Sequence, residues 1–375
     1  MDELDELRNQ IDLIDSQLIS LYEKRLNTVK AVGEYKEKHK TNVLQKGREE
    51  IVINNAINRL ENKSYEFEVR ELMNTILDSS KNLQSSNMIK GEDLDRYKKY
   101  PFEKDAKKGF FGEKGSNTEQ AMYDFFGDYN GVQYDSFEDI FKAIRKGEIK
   151  YGVVPIENST AGAITDVYDL LGEYDLGIIG EQWVRIKHNV FGTPDSTIED
   201  IKKVYSHPQG FYQSKDFLDT TNWERITYHN TALSCKYVSE QKDKTKAAIA
   251  SDRTGAMYGL KLLKEDITSC KDNFTRFIII AADIADLPAN KVSIEFSLYS
   301  KPGALYNILK VLAKYNINMV KIESRPIKNN PLNYYFYVDL DGNCDDDNMK
   351  KALKNIQNYT TMYKLLGLYQ KGEIK

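Results

Sequence analysis

The chain has 375 residues, of which 41% are hydrophobic and 29% are charged, and its net charge is −4 at pH 7. This length predicts two or three domains of roughly 150 residues each, and the apolar content is sufficient for hydrophobic cores. The 53 basic and 57 acidic residues are well mixed, which argues against nucleic acid as a main partner. No apolar run approaches the ~20 residues that a membrane-spanning helix requires, so we expect no membrane partner.

The acidic, amphipathic start of the chain lacks the features of a secretory signal. The 3 cysteines, Cys235, Cys270 and Cys344, are odd in number and widely spaced. This arrangement predicts neither a disulfide framework nor a zinc site, and a reducing cytoplasm is the simplest location. We therefore expect a cytoplasmic protein that uses no metal and no other cofactor.

An apolar seam runs through the first part of the chain. Its members alternate spacings of three and four residues: Leu4, Leu7, Ile11, Ile14, Leu18 and Leu21. A repeat of about 3.5 residues predicts a long helix that packs along its length against other helices. From about residue 3 to 38 this helix would span roughly 55 Å, which is too long for a domain of this size to cover. We therefore expect a second copy of the chain to cover it, in a helical dimer.

Arg25 falls on the apolar seam, where an unpaired charge is costly. It is either a residue that sets the helix register or carries its charge out to solvent, or a residue that binds a ligand. Lys36 lies about three turns further along the same face, whereas Arg8 lies roughly 25 Å before Arg25 and about a quarter turn away. One small ligand cannot reach both arginines on one straight helix, so a ligand-binding Arg8 would come from the partner chain.

Two further helices are predicted, from Arg48 to Leu60 and from Glu66 to Gln84. Ser80 and Gln84 are four residues apart and share one face of the second of these helices. On this pattern alone, solvated surface positions are a more common explanation for both residues than a binding site.

The residues of this helical module resemble the all-helical chorismate mutase family. The resemblance rests on Leu7-Arg8, Ile11-Asp12, Arg25, Lys36, Arg48-Glu49 and the run from Ser80 to Gln84. It implies that substrate is bound by Arg8, Arg25, Lys36, Gln45, Arg48, Glu49, Ser80 and Gln84, of which Lys36, Glu49 and Gln84 are catalytic. The family often has an acidic residue where this chain has Gln45, although an amide can still hydrogen-bond to a ring hydroxyl.

The implied chemistry suits these residue types. In the family, the cations hold the two carboxylates and the ether oxygen of chorismate, Glu49 accepts from the ring hydroxyl, and Gln84 donates to the ether oxygen. The rearrangement to prephenate needs no nucleophile and no proton transfer. It needs a compact conformer and stabilisation of the negative charge that grows on the ether oxygen, and cations and amides in a dry pocket supply both.

Residues 87–108 are rich in charged side chains around Pro101 and predict a weakly ordered connector without a function of its own. From Gly109 onwards, short β runs alternate with helical segments, and several strands end in polar clusters. This pattern predicts two α/β subdomains with a cleft between them. No G-x-G-x-x-G sequence follows a strand, so a nicotinamide-binding domain is not expected.

Three polar clusters stand at strand ends in this module. They are Glu157-Asn158-Ser159, then Ser206-His207-Pro208-Gln209 with Gln213, and finally Asn273-Phe274-Thr275-Arg276-Phe277. A threonine ahead of a strand is, by itself, more often a turn or capping residue. In this order, however, the clusters are similar to those of the prephenate dehydratase family, whose architecture resembles type II periplasmic binding proteins.

The dehydratase resemblance implies that Thr275 is the essential residue. It also places Glu157, Asn158, Ser159, Ser206, Gln209, Gln213 and Arg276 in the cleft. Prephenate loses carbon dioxide and its ring hydroxyl, and a leaving hydroxyl needs a proton or a strong hydrogen-bond donor. Thr275 can donate a hydrogen bond, Glu157 can supply the proton if it is buried and protonated, and Arg276 can hold the side-chain carboxylate. For His207 we expect a structural role in the turn before Pro208.

Residues 290–375 predict the order βαββαβ, which is typical of a ferredoxin-like sandwich. Such a unit can be a plain dimerisation domain. Two of its segments, Gly303-Ala304-Leu305 and Glu323-Ser324-Arg325-Pro326, resemble the phenylalanine-binding motifs of the ACT domain, with Tyr306 where a smaller residue is common. The resemblance implies that L-phenylalanine binds between paired ACT domains and inhibits the dehydratase.

The predicted fold is therefore multidomain, with an all-α mutase domain, an α/β dehydratase domain and an α+β ACT domain. The expected boundaries are 1–86, a linker at 87–108, 109–285 and 290–375. The preferred interpretation is a feedback-inhibited enzyme of L-phenylalanine biosynthesis that converts chorismate to prephenate and then to phenylpyruvate, as a homodimer or homotetramer. A mutase fused to a dehydrogenase lacks the dinucleotide fingerprint, and a ligand sensor without turnover leaves Arg25 on its seam unexplained.

Overall fold

The computed structural model describes residues 2–39, 47–88, 99–328, 330–343 and 345–374. The chain divides into two compact units, Met1–Arg96 and Tyr97–Lys375. Among the described helices, none combines the length and the apolar character that a bilayer crossing requires.

The first unit is helical, as predicted. Its helices are α1 (Glu3–Lys38), α2 (Arg48–Asn58) and α3 (Glu66–Met88), with a short 3-10 turn at Lys63–Tyr65. Helix α3 lies against both α1 and α2. The apolar seam of α1 remains open to solvent in the single chain, because its six residues from Leu4 to Leu21 are each 50–63% exposed.

The second unit begins with a two-lobed α/β region. The first lobe contains β1 (Lys99–Tyr100), β2 (Lys108–Phe111), α4 (Asn117–Phe126), β3 (Gly131–Tyr134), α5 (Phe137–Arg145), β4 (Tyr151–Asn158), β5 (Gly162–Ala163), α6 (Thr165–Glu173), β6 (Gly177–Arg185), β12 (Phe274–Ala281) and β13 (Ile284–Ala285). Its strands lie in the order β3-β2-β4-β12-β6, and β12 is antiparallel to both of its neighbours. Separate apolar clusters cover the two faces of this sheet.

The second lobe is inserted between β6 and β12. It contains β7 (Asn189–Gly192), β8 (Lys203–Ser206), α7 (Pro208–Gln213), α8 (Lys215–Leu218), β9 (Glu224–Thr227), α9 (Thr231–Gln241), β10 (Lys246–Ala250), α10 (Asp252–Met257) and β11 (Lys261–Lys264). Its sheet has the order β11-β7-β10-β8-β9. The loop after β2 meets α10, the helix that directly follows β10, where Thr254 Oγ1 donates to the Gly115 carbonyl at 2.8 Å. The carboxyl ends of strands in the two lobes therefore face each other, as the alternating pattern predicted.

The prediction of a weakly ordered connector over 87–108 is wrong in its second half. Strand β1 pairs in parallel with β13, and β2 already begins inside the predicted connector. Phe102 packs against the rings of Phe126 and Tyr151 in the core of the first lobe. These aromatic and backbone contacts outweigh the charged composition of the segment, while residues 89–98 lie outside the described residues.

The last module has the predicted order βαββαβ. Its elements are β14 (Lys291–Leu298), α11 (Ala304–Lys314), β15 (Met319–Ile327), β16 (Asn330–Asp341), α12 (Asp347–Gln357) and β17 (Thr360–Tyr369). Strand β17 continues into the sheet of the first lobe, because it pairs with β6 at Gly367 and Ile178. The approach is so close that a Cβ on Gly367 would lie 2.2 Å from the Ile178 carbonyl oxygen. One sheet therefore joins the last module to the lobe that carries Thr275.

Candidate active sites

The helical unit brings Arg25 of α1 to Ser80 of α3. Arg25 Nη1 donates to Ser80 Oγ at 2.5 Å, and Ser80 is 7% exposed. Arg8 is exposed and pairs with Asp5 one turn away, at 3.7 Å. Because α1 is one continuous helix, it separates Arg8 from Arg25, in agreement with the expectation that one chain cannot direct both at the same small ligand.

Other predicted mutase residues are placed by their helices. Lys36 lies in the last turn of α1, and Arg48 and Glu49 open α2. Gln45 and the side chain of Gln84 lie outside the described residues.

The Thr275 site is built by two antiparallel strands. Thr275, at the start of β12, lies opposite Asn158, at the end of β4, so their side chains share one face of the sheet. Asn158 Nδ2 donates to Thr275 Oγ1 at 3.0 Å, to Asn273 Oδ1 at 2.8 Å and to the Phe274 carbonyl at 3.1 Å. Two of the predicted cleft residues are therefore in direct contact.

The orientation of the Asn158 amide is fixed by backbone donors. Its Oδ1 accepts from the amide N–H groups of Thr160 and Ala161, at 3.0 and 2.9 Å. Nδ2 must then face Thr275, which makes the threonine oxygen an acceptor. Within the described residues the Thr275 hydroxyl has no second hydrogen-bond partner, so its own proton is available to a substrate.

Ser159 and Asn273 complete this end of β12. Ser159 Oγ donates to the Asp272 carbonyl at 2.8 Å and accepts from the Phe274 N–H at 2.9 Å, so it ties the strand start in place. Asn273 is 1% exposed, and its Nδ2 has no partner among the described residues. Asn273 stood in the sequence motif but was not predicted as a site residue, although its polar neighbours were a signal for it.

In the second lobe, the predicted residues serve different purposes. Ser206 is fully buried, and its Oγ donates to the Ile249 carbonyl at 3.3 Å. Gln209 is exposed in the first turn of α7. His207 caps the same helix, since its Nδ1 accepts from the Gln209 N–H at 3.1 Å, which confirms the predicted structural role.

Gln213 contacts a histidine that sequence reasoning missed. His188 Nε2 lies 2.8 Å from Gln213 Oε1, and His188 is 7% exposed. Burial lowers the pKa of His188, although the hydrogen bond to Gln213 opposes this shift. His188 lies where the chain enters the second lobe, and a lone histidine before an apolar run gave no distinctive signal for it.

The structure corrects the roles predicted for Arg276 and Glu157. Both point to the face of the sheet opposite to Thr275, because side chains alternate along a strand. Arg276 is 2% exposed and contacts Glu181 at 2.6 Å, Glu157 at 3.2 Å and Asp339 at 2.6 Å. Its guanidinium is therefore occupied by protein carboxylates and does not hold a substrate carboxylate in the cleft.

The same geometry removes Glu157 as the predicted proton donor. Its carboxylate pairs with Arg276 and with Lys321 of β15. Burial alone would lower the pKa of Arg276. Its neighbours instead raise this pKa well above its ordinary value, and they are Asp339, Tyr369, Glu181 and Glu157. The group that protonates the leaving hydroxyl must be sought on the Thr275 face.

In the last module, the loop before α11 lines a cavity of about 480 Å³. Its walls include Gly303, Ala304, Leu305 and Phe336. Gly303 has φ of 75° and caps α11, a conformation that favours glycine. Ser324 lies opposite Phe336 on neighbouring strands, so the second predicted motif reaches the same sheet face as the cavity.

The two motifs do not contribute all of their predicted residues to this face. Ser324 and Pro326 alternate along β15 with Glu323 and Arg325, which point to the opposite side. Arg325 makes two hydrogen bonds to Asp169 of α6, at 2.9 and 3.1 Å. This geometry argues against Glu323 and Arg325 as effector contacts and makes Arg325 a link to the dehydratase lobe.

Three family descriptions match successive parts of the chain: "Chorismate mutase type II" over residues 7–85, "Prephenate dehydratase" over 109–285 and "ACT domain" over 292–358. The order of helical, two-lobed and βαββαβ modules is thus the order of these families. The fold and sites define a multidomain enzyme with a mutase module, a dehydratase module and an ACT module.

Relatives extend the match to almost the whole chain. The bifunctional chorismate mutase/prephenate dehydratase of Aquifex aeolicus is 32% identical over 99% of this chain and 99% of its own length. The prephenate dehydratase of Methanocaldococcus jannaschii is 39% identical and covers 68% of this chain and 95% of its own length. A structure of prephenate dehydratase from Arthrobacter aurescens in complex with L-Phe is 29% identical, with a TM-score of 0.64 over 71% of this chain and 90% of its own.

This chain belongs to the family of bifunctional chorismate mutase/prephenate dehydratases. It is an enzyme with both activities, an isomerase in its helical unit and a lyase in its α/β module.

Proposed function

We propose that the chain makes phenylpyruvate from chorismate in two steps and that L-phenylalanine inhibits the second step. The proposed modules are residues 1–86 for the mutase, 109–285 for the dehydratase and 290–375 for regulation. The two-lobed architecture supports the periplasmic-binding-protein-like description of the dehydratase. The strand order β15-β16-β14-β17 supports the ferredoxin-like description of the ACT module.

In the mutase, Arg25 and Lys36 bind substrate carboxylate and ether oxygens, and the partner subunit's Arg8 completes the pocket. The contact between Arg25 and the buried Ser80 supports this proposal, because it directs a cation inward from an otherwise apolar seam. The open seam of α1 supports a dimer, since six exposed apolar residues on one stripe need a cover. The remaining mutase residues have the binding roles that the family implies: Glu49, Arg48, Gln45 and Gln84.

In the dehydratase, Thr275 donates a hydrogen bond to the departing ring hydroxyl. Asn158 fixes the direction of that bond, because its Nδ2 occupies a lone pair of the threonine oxygen and leaves the proton for substrate. As the ring carboxylate leaves as carbon dioxide, its bonding electrons enter the ring and the hydroxyl leaves with a proton as water. Aromatisation drives the step, and a donor already in position stabilises the charge that develops on the leaving oxygen.

The fixed Asn158–Thr275 pair carries this proposal, and substitution of Thr275 tests it. Thr275→Val keeps the shape and removes the donor, so kcat for prephenate should fall by about 10²–10³-fold. Thr275→Ser keeps the donor and should retain most of the rate. Chorismate mutase activity should be unchanged in both variants. Equal loss of both activities, or full dehydratase activity in Thr275→Val, would refute the assignment.

L-Phenylalanine is proposed to bind the cavity beside Gly303–Leu305, near Ser324. The apolar walls suit its ring, and an ACT module and a relative solved with L-Phe support the ligand. Calorimetry should detect L-phenylalanine binding, and dehydratase rates should fall over the same concentration range. D-Phenylalanine serves as the control ligand. Binding without inhibition would refute feedback control, and absence of both would refute the ligand.

We further propose a homodimer or homotetramer in the cytoplasm. A stripe of exposed apolar residues on α1 supports self-association. Sedimentation analysis of the full chain tests it, and a monomer at micromolar concentration would refute it.

A further inference from the structure

A cluster of six charged side chains lies between the dehydratase lobe and the ACT module. The lobe contributes Arg276, Glu157 and Glu181, and the ACT module contributes Lys291, Lys321 and Asp339. We call this set the interdomain charge cluster. Lys291 Nζ lies 2.8 Å from Glu181 and 3.3 Å from Asp339, so each module supplies partners for the charges of the other.

The two halves of the cluster complement each other in charge. The lobe provides one cation and two carboxylates, whereas the ACT module provides two cations and one carboxylate. Four members of the cluster are at most 8% exposed: Arg276, Glu181, Lys291 and Asp339. Solvent therefore cannot stabilise one of these charges when its partner is missing. Neither half is neutral alone, and the charges balance only when the modules are joined.

The cluster touches the dehydratase site through the backbone of two strands. Glu157 directly precedes Asn158, and Arg276 directly follows Thr275. The residues of each neighbouring pair point to opposite faces of the sheet. A displacement of Glu157 or Arg276 therefore moves the Asn158–Thr275 hydrogen bond, which is 3.0 Å long.

The cluster also touches the effector cavity through β15. Lys321 lies three residues before Ser324 on this strand, and its Nζ binds Glu157 across the module boundary. Ser324 faces the cavity wall at Phe336, whereas Lys321 faces the lobe. Strand β15 therefore has Ser324 on the face of the cavity and Lys321 on the opposite face, where it contacts the end of β4 that carries Asn158.

We propose that Lys321 is a positioning residue for the dehydratase reaction, acting through Glu157 on Asn158 and Thr275, and that it relays occupancy of the ACT cavity to that pair. The relay rests on the proposed regulation by L-phenylalanine, whereas the positioning role does not. Lys321 touches neither substrate nor effector in this arrangement.

Substitution at Lys321 tests both parts. Lys321→Met removes the cation and keeps the stem, and Lys321→Arg keeps a cation. Lys328→Met is the matched control, because Lys328 also joins the ACT module to the lobe, through Glu173 at 2.9 Å, but both side chains are more than half exposed. Each variant is assayed for kcat and KM with prephenate, for mutase activity, and for L-phenylalanine binding by calorimetry.

In Lys321→Met, kcat should fall by about tenfold or more with KM within about twofold of wild type, because misplacement of a catalytic donor costs turnover rather than binding. Lys321→Arg should restore the rate, and Lys328→Met should behave as wild type. L-Phenylalanine should still bind Lys321→Met, but the ratio of uninhibited to inhibited rates should shrink by about fivefold or more, the lower end of typical allosteric coupling. If Lys321→Met does not fold, Lys321→Gln takes its place.

Unchanged kcat and inhibition in Lys321→Met would overturn the proposal. A loss of kcat that Lys321→Arg does not repair, or a matching loss in Lys328→Met, would show a general structural effect and overturn it as well. If wild-type enzyme neither binds L-phenylalanine nor responds to it, the proposed regulation and the relay fail together. The kcat comparison still decides the positioning role.

Discussion

The hydrogen bond from Asn158 to Thr275 can be reversed with a nearly isosteric change. Asn158→Asp keeps the oxygen that accepts from Thr160 and Ala161, but replaces Nδ2 with a carboxylate oxygen. In the wild type, the Asn158 Nδ2 group donates to Thr275 Oγ1, Asn273 Oδ1 and the Phe274 carbonyl. In the variant, a carboxylate oxygen would face these same three acceptors and could donate to none of them. The threonine must then donate its proton to the new carboxylate, so the donor is no longer available to substrate.

The structure separates the expected cost in catalysis from the cost in stability. Loss of one directed donor to a developing charge lowers kcat by about 10²–10³-fold, or about 2.7–4 kcal/mol. For folding, the Phe274 carbonyl loses its side-chain donor, which costs about 1 kcal/mol. Asn273 offsets its own loss, because its unpartnered Nδ2 can turn towards the carboxylate. The variant should therefore be folded and almost inactive as a dehydratase.

Phenylpyruvate formation from prephenate measures the first effect, and urea denaturation measures the second. Mutase activity of the same preparation reports on the integrity of the helical unit. Asn230→Asp is the matched control. Among the described residues, the Asn230 side chain makes one hydrogen bond, in which its Oδ1 caps α9 at 2.7 Å from the Leu233 nitrogen, and an aspartate caps equally well. An Asn158→Asp enzyme that keeps kcat within about threefold of wild type would refute the role assigned to the direction of this hydrogen bond.

Gly367→Ala should destabilise the second unit by about 1–3 kcal/mol, because its Cβ would meet a backbone oxygen at 2.2 Å; wild-type stability in urea would contradict the β17–β6 junction. Arg25→Met should lower mutase kcat/KM by about 10²-fold and leave prephenate turnover intact, which separate assays on the two substrates would check. Below about pH 6.5 the folded state should lose stability, because burial lowers the pKa of His188 and the unfolded chain binds its proton more readily. His188→Gln should flatten that part of the stability profile, and an unaltered profile would exclude His188 as its source.

Much of the architecture could be predicted because the helices and strands follow local periodic patterns of apolar residues. The seam from Leu4 to Leu21 predicted α1 almost to its ends, and alternation within 290–375 predicted the order βαββαβ. The resemblance to the dehydratase family implied that Asn158 and Thr275 belong to one cleft, but their direct contact is known only from the antiparallel pairing of β4 and β12 in the structure. For the helix and the βαββαβ order, the signal lay within a few residues of the feature that it predicted.

The roles of Arg276 and Glu157 could not be predicted in the same way. Their partners Asp339 and Lys321 lie in another module and become neighbours only when β17 extends the lobe sheet. Strand alternation was readable in the sequence, but not which face of β12 would be covered by charged groups. The connector was misjudged for a related reason, since its packing depends on distant aromatic rings.

Because Thr275 and Arg276 are adjacent in the chain, the interdomain charge cluster affects the position of the catalytic threonine as well as the stability of the fold. Burying Arg276 and Glu181 costs desolvation that their attraction only partly offsets, so apolar residues of similar size could hold the modules together equally well. Ion pairs differ from apolar packing in that they are directional and lose their partners when one module shifts. Strand β12 carries the Thr275 hydroxyl on one face and, at the next residue, the ion pairs of Arg276 on the other. The position of Thr275 is therefore sensitive to a shift of the ACT module, whereas an apolar interface would tolerate the same shift.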